Sequence, residues 1–129
     1  MFLVLQGTFK TAFVEENTGR TIVNTLTAGQ ATVFPQGLIH EEQNNDCDTA
    51  IFLSSFSSED PGVATTSTGL FSIPVEAVAA TFGIKNDTVL NVKNSLPKNP
   101  APGNQECLAR CASLGSPAPK FNPILNKTF

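Results

Sequence analysis

The chain has 129 residues, 40% of them hydrophobic and 15% charged, with a net charge of −3. That composition argues against intrinsic disorder, and the length suits one domain of ordinary size rather than two. Eight basic residues in an acidic chain leave no electrostatic footprint for nucleic acid, and no apolar run approaches the roughly 20 residues that span a bilayer.

The first half reads as strands. Phe2 to Gln6 is a short apolar run ended by Gly7, and Thr8 to Glu15 alternates, with Phe9 and Phe13 as its bulk. Asn17, Thr18 and Gly19 form a turn signal between two extended runs, which predicts a hairpin into Arg20–Thr27, rich in Thr, Ile and Val. Gln30–Phe34, Leu38–Gln43 and Thr49–Ser57 follow as further short strands, separated by Pro35–Gly37 and by a polar turn at Asn44–Asp48. Strands of this length, near ten residues apart, predict an antiparallel sandwich or barrel. Ten Phe with no Tyr or Trp supply aromatic bulk without a polar handle, so the rings serve packing.

The period then changes. Val75, Val78, Ala79 and Phe82 make one helical face, with Pro74 in the first turn and Gly83 at the C-terminal cap. A second helix is predicted with Asn86 or Asp87 as N-cap and Val89, Val92 and Leu96 on one face, ended by Pro97. A third runs from an Asn104 cap through Arg110. The tail from Ser113, with Pro117, Pro119 and Pro123, reads as extended. The predicted fold class is all-β, a sandwich or barrel followed by two or three short C-terminal helices. The organisation is residues 1–72 as barrel, 73–112 as helical segment and 113–129 as a Pro-rich tail.

Three cysteines, Cys47, Cys107 and Cys111, imply at least one free thiol or a partner elsewhere. Cys107 and Cys111 sit i, i+4 on a helix, where Cβ atoms are about 5–6 Å apart against the roughly 3.5–4.5 Å of a disulfide. They should not bond each other unless that turn unwinds. Together with His40 they lack the spacing of a zinc finger. The residues Met1–Gly7 carry no basic n-region or cleavage site, so read literally the chain shows no signal peptide. Asn86 and Asn126 each open an N-glycosylation triplet, and Asn86 also suits a helix cap.

The stretch with chemistry in it places Gly29, Pro35, Gly37, His40 and Asn44 in the spacing G(X)5PXG(X)2H(X)3N. Pro35 and Gly37 suit a tight connection between two strands. On the strand that follows, alternation puts His40, Glu42 and Asn44 on one face and Glu41 and Gln43 on the other. An inward imidazole in a barrel is a candidate metal ligand, whereas a lone histidine is more often a hydrogen-bonded core residue.

This spacing matches the second cupin motif at each of its fixed positions. Val33–His40, Ser58–Gly62 and the helices that follow resemble germin-type sequences, and the ending Cys107–Cys111 resembles the fungal spherulin type. The resemblance runs from Met1 to about Cys111 and implies that the strands are part of a jelly-roll cupin barrel. It implies a secreted, manganese-binding germin-like protein with oxalate oxidase or superoxide dismutase chemistry, homo-oligomeric through its cupin edges and acting on a small molecule that the sequence does not name. The family's first motif supplies two His and one Glu as further ligands and closes on a glycine that matches Gly7. Its glutamate then falls one position before Met1, so His40 is the one family ligand present. Glu42 is a possible replacement, but two ligands make a weak manganese site. The expectation is therefore a truncated, inactive chain that does not retain manganese alone. The resemblance also implies disulfides near the N-terminus, where an upstream segment would hold a partner for one cysteine. Glu41 departs from the aromatic residue usual after the motif histidine. The alternative expectation is a non-catalytic structural or interaction half-cupin that pairs with another cupin chain through exposed strand edges, with His40 as a core residue. A chain lacking strands from a closed core is also expected to be prone to aggregation.

Overall fold

The computed structural model describes residues 1–62, 64–97 and 103–116. They form six strands and four helices: β1 (Phe2–Gln6), β2 (Thr8–Val14), β3 (Thr21–Thr27), β4 (Ala31–Thr32), β5 (His40–Asn44), β6 (Ile51–Ser54), α1 (Thr66–Leu70), α2 (Val75–Phe82), α3 (Asn86–Ser95) and α4 (Gln105–Ser113). They fall into two compact units. One comprises the described parts of Met1–Phe56 and Gly103–Phe129, the other those of Ser57–Pro102.

The first unit holds two antiparallel three-stranded sheets, in the orders β4-β1-β6 and β3-β2-β5. Alternation along the strands aims one set of side chains between them. Phe2 and Val4 from β1 meet Phe9 from β2 and Leu26 from β3, all buried, with Phe34 and Ala50 against them. Phe2 is the centre of this core. Its ring lies edge-on to Phe9 at 5.2 Å and stacks on Phe52 at 4.5 Å. The aromatic bulk thus serves packing, with ring pairs in the offset and T-shaped arrangements that quadrupoles favour.

The hairpin forms where the turn signal places it. Glu15 N–H donates to Arg20 O, and β2 pairs with β3 from Thr8↔Thr27 to Val14↔Thr21. The hairpin mouth is closed by the Arg20 guanidinium, which donates twice to the Glu15 carboxylate at 2.7 and 3.0 Å, and by the Thr18 hydroxyl, which donates at 2.7 Å. The Arg20 hydrogen bond, then that of Thr18, brings the Glu15 carboxyl from its ordinary 4.5 down to about 2. A lowered value means that the interaction favours the folded hairpin above about pH 4.5 and is lost as pH falls through about 2. Arg20→Ala is expected to return the Glu15 titration, followed by NMR, towards its ordinary midpoint. An unchanged midpoint would leave the ion pair without effect.

Gly7, between β1 and β2, has φ +79°, and a Cβ there would meet the Ala50 Cβ at 2.8 Å. Only glycine satisfies both the left-handed backbone and the close approach of the chain ahead of β6. Three expected strands are shorter than their patterns, and β6 covers only Ile51–Ser54 of the expected Thr49–Ser57. β4 is confined to Ala31–Thr32 and β5 starts at His40, because Val33–Ile39 is taken up by the run into and out of the Pro35–Leu38 turn.

In the second unit α2 buries Val78 and Ala79, α3 buries Val89, and Phe71 and Val75 pack against them. Pro74 stands at the N-cap of α2 and Gly83 at its C-cap. The N-cap of α3 is Lys85, not Asn86 or Asp87: Val89 N–H donates to Lys85 O, so the helix starts one residue earlier than expected. Leu96 is extended, as the residue before a proline prefers. α1 was not foreseen, since its five residues carry no apolar period. In the first unit, Asn104 caps α4 as expected, its side chain accepting from Cys107 N–H. No helix among the described residues is long and apolar enough to cross a membrane. The expected extended tail at Pro117, Pro119 and Pro123 lies outside the described residues.

Candidate functional site

The site is built from the turn that precedes β5. Leu38 N–H donates to Pro35 O at 3.3 Å, and Gly37 has φ +82°, the value a type II turn needs at its third residue. The turn delivers the chain onto the edge of the second sheet, where β5 pairs with β2 in the register Phe13↔His40, Ala12↔Glu41, Thr11↔Glu42, Lys10↔Gln43 and Phe9↔Asn44. Residues directly opposite share a face. Phe9 and Thr11 are buried, so His40, Glu42 and Asn44 take the inner face and Glu41 and Gln43 the outer one. β3 adds Asn24 opposite Thr11. Asn24, Thr11 and Glu42 therefore form a polar row across three strands, next to the row of Ile22, Phe13 and His40.

Two contacts fix the His40 ring. It stacks on Phe34 with centroids 4.5 Å apart and planes 18° off parallel. Its Nδ1 lies 2.8 Å from Leu38 O. A carbonyl only accepts, so the proton of the neutral ring belongs on Nδ1 and the Nε2 lone pair is free. Nε2 faces Glu42 Oε1 at 3.6 Å. Two electron-pair donors thus point at one place, beyond hydrogen-bond distance of each other, with 41% and 31% of their side-chain surfaces open to solvent. Thr11 Oγ1 is buried on the same face with no hydrogen-bond partner. A buried hydroxyl without a partner is uncommon and marks a place for water or a ligand. A hollow of about 220 Å³ lined by Phe13, Ile39, His40 and Glu41 among others opens at this end of the two strands.

The other motif residues shape the surroundings. Gly29 N–H donates to Val4 O at 2.8 Å and Val4 N–H donates to Gln30 O at 3.0 Å, which ties the end of β3 to β1. Asn44 ends β5: its Oδ1 accepts from Asp46 N–H and its Nδ2 donates to Asp48 O, each at 2.9 Å, closing the turn towards β6. Asn86 is the first residue of α3, far along the sequence from this site, and Asn126 lies outside the described residues. Sequence reasoning missed Thr11 and Asn24. The signal for Thr11 was its place midway between Phe9 and Phe13 on the inner face of an alternating strand.

The cysteines divide two and one. Cys47, in the turn after β5, is bonded to Cys111 on α4, and Cys107 is free and buried. Cys107 and Cys111 are not bonded to each other. A cysteine partner outside the chain is not needed for Cys47 or Cys111.

Two antiparallel three-stranded sheets with their apolar side chains turned towards each other make part of a jelly-roll barrel, and His40 and Glu42 lie on the inner face of one of its edge strands. The Cupin family model matches residues 1–90, and the chain belongs to the cupin family. It is 43% identical over 109 residues to spherulin-1A of Physarum polycephalum, covering 84% of this chain and 44% of that protein. It is 31% identical over 97 residues to germin-like protein subfamily 2 member 2 of Arabidopsis thaliana, covering 72% and 44%. Among solved structures it is similar to the oxalate decarboxylase of Bacillus subtilis at pH 4.6, with TM-score 0.59, 20% identity, and coverage of 81% of this chain and 32% of that one. The chain thus spans less than half the length of the curated relatives it matches.

Manganese, the metal the family resemblance implies, can be tested against these residues. His40 and Glu42 supply two donors, and the described residues contain no group of three His, Cys, Asp or Glu that could hold a metal ion. Manganese favours octahedral coordination, mostly by oxygen. The donor set among the described residues does not fit it.

Proposed function

We propose that this chain is the His40-bearing portion of a germin-like cupin of the secreted, manganese-binding kind, resembling proteins with oxalate oxidase or superoxide dismutase activity, and that by itself it is not an active oxidoreductase. The observation that carries this reading is the pair of His40 Nε2 and Glu42 Oε1, convergent on the inner face with the imidazole proton held by Leu38 O. A backbone carbonyl in that position is the usual outer-shell partner of a metal-ligating histidine. Spherulin and germin-like relatives, and a fold shared with an oxalate decarboxylase studied for its Mn(II) centres, support it. The first-motif ligands are taken to lie in the part of such relatives that this chain does not span.

A second reading is a non-catalytic half-cupin that pairs with a second cupin chain. The observation that favours it is β6. This strand has a neighbour on one side only among the described residues, and its Ile51, Phe52 and Leu53 are 45%, 47% and 51% exposed. An apolar edge of this kind is a template for another strand.

One preparation tests both readings. The purified 129-residue chain, equilibrated with manganese(II) and passed over a chelating column, is expected to retain far less than one manganese per chain and to oxidise no oxalate. Stoichiometric metal after the column would overturn the proposal that the chain alone lacks a site. Light scattering on the same sample reads the edge: a dimer supports strand pairing, and a stable monomer that binds no hydrophobic dye overturns it.

A further inference from the structure

We propose that Cys47, Cys107 and Cys111 form a thiol–disulfide exchange centre in which Cys47 passes between two partners one turn apart on α4. Cys107 and Cys111 are both buried on the same face of that helix, and Cys47 meets them from the turn after β5. The free sulfur is already beside the bond. Cys107 Sγ lies 4.0 Å from Cys111 Sγ, which is bonded to Cys47 Sγ. It is held there by Asn45 O, towards which its S–H points at 3.4 Å, and by an Arg110 guanidinium nitrogen at 3.6 Å. Arg110 also donates to Asn45 O, so one backbone carbonyl of the β5–β6 turn anchors both residues. The same region is open to solvent. A cleft of about 510 Å³ is lined by Asp46, Cys47, Asp48 and Arg110, together with Gln6 at the end of β1 and Leu114 at the C-cap of α4 among others.

The step balances without an external oxidant. Cys107, as its thiolate, attacks Cys47 Sγ. The Cys47–Cys107 bond forms while the Cys47–Cys111 bond breaks. The electron pair leaves on Cys111 Sγ, which takes up the proton that Cys107 lost. One disulfide and one thiol are present before and after. The other outcome, a Cys107–Cys111 bond, is disfavoured while α4 stays helical, because Cβ atoms at i, i+4 are about 5–6 Å apart and a disulfide needs roughly 3.5–4.5 Å. Exchange therefore moves the anchor of α4 by one turn, about 5.4 Å along its axis.

Arg110 lies between the two helix cysteines, so trypsin separates them into different peptides. The full chain is incubated at about pH 8, where thiolate attack is favoured over the same reaction at about pH 5. It is then acid-quenched, alkylated under denaturing acidic conditions and mapped by mass spectrometry. The expected result is label on Cys111 and a linked Cys47–Cys107 peptide that both increase with time at the higher pH and not at the lower one. Label confined to Cys107 at both pH values after hours would overturn the proposal. Cys111→Ser gives a second reading: a Cys47–Cys107 bond is expected on air oxidation, and two persistent free thiols in the folded variant would overturn it. Cys107→Ser is expected to abolish Cys111 labelling, and labelling that survives would overturn the proposal by tracing the Cys111 thiol to an incompletely formed disulfide rather than to attack by Cys107.

Discussion

Phe2→Ala is expected to cost about 3–5 kcal/mol, the range for truncating a fully buried phenylalanine, and to leave the first unit largely unfolded. Phe2 is 1% exposed and its ring touches Phe9, Phe34 and Phe52, so the substitution removes one partner from each of three aromatic pairs. The buried set around it is small, with Val4, Phe9 and Leu26 as its other members, and collapse into the cavity would have to draw in half-exposed Phe52. Urea unfolding followed by circular dichroism gives the number. Phe2→Leu should lose less than half as much, because most of the volume stays. A loss under about 1 kcal/mol for the alanine variant would mean that the sheets are held by something other than this cluster.

Cys47→Ser is expected to cost about 2–4 kcal/mol. The bond it removes joins residues 64 apart in sequence and ties α4 to the turn after β5. A cross-link over a loop of that length removes a large share of the freedom of the unfolded chain, and α4 reaches the sheets through few other contacts, chiefly Asn104 and Arg110 on Asn45. The comparison that isolates the effect is Cys111→Ser, where Cys107 can take the vacated bond. The two variants should differ in thermal midpoint under oxidising conditions and coincide under reduction. Equal midpoints in both conditions would show that no second bond forms.

The parts legible in the sequence are those decided over a few residues. The hairpin at Asn17–Gly19, the helical face of Val75, Val78 and Ala79, the Asn104 cap and the inner placement of His40 with Glu42 each follow from a local period, a turn residue or a cap. What was not legible depends on segments meeting. Which cysteines bond was left open, because Cys47 finds Cys111 only after the sheets bring the turn at Asn45 against α4. Arg110 drew notice only as the end of a helix, yet it binds both that turn and the free thiol. Thr11 looked like one polar residue in a strand, and its isolation shows only when β3 and β5 lie on either side of it. The length of β4 was overstated because apolar residues at Val33 and Phe34 suit a strand, while the approach to Pro35 takes their backbone out of the ladder and turns the Phe34 ring towards His40.

The order of strands in the first sheet bears on how the chain must fold. β2 and β3 are neighbours in sequence and can zip from their turn as soon as both exist, whereas β1 has no partner nearby in the chain: Phe2 waits for Thr32 on one side and for Ser54 on the other. Contacts between such distant residues carry the entropy of closing long loops before they return any free energy. The largest fully buried side chain of the core is thus among the last to find its place. Until both of those loops close, Phe2 and Val4 are open to other chains.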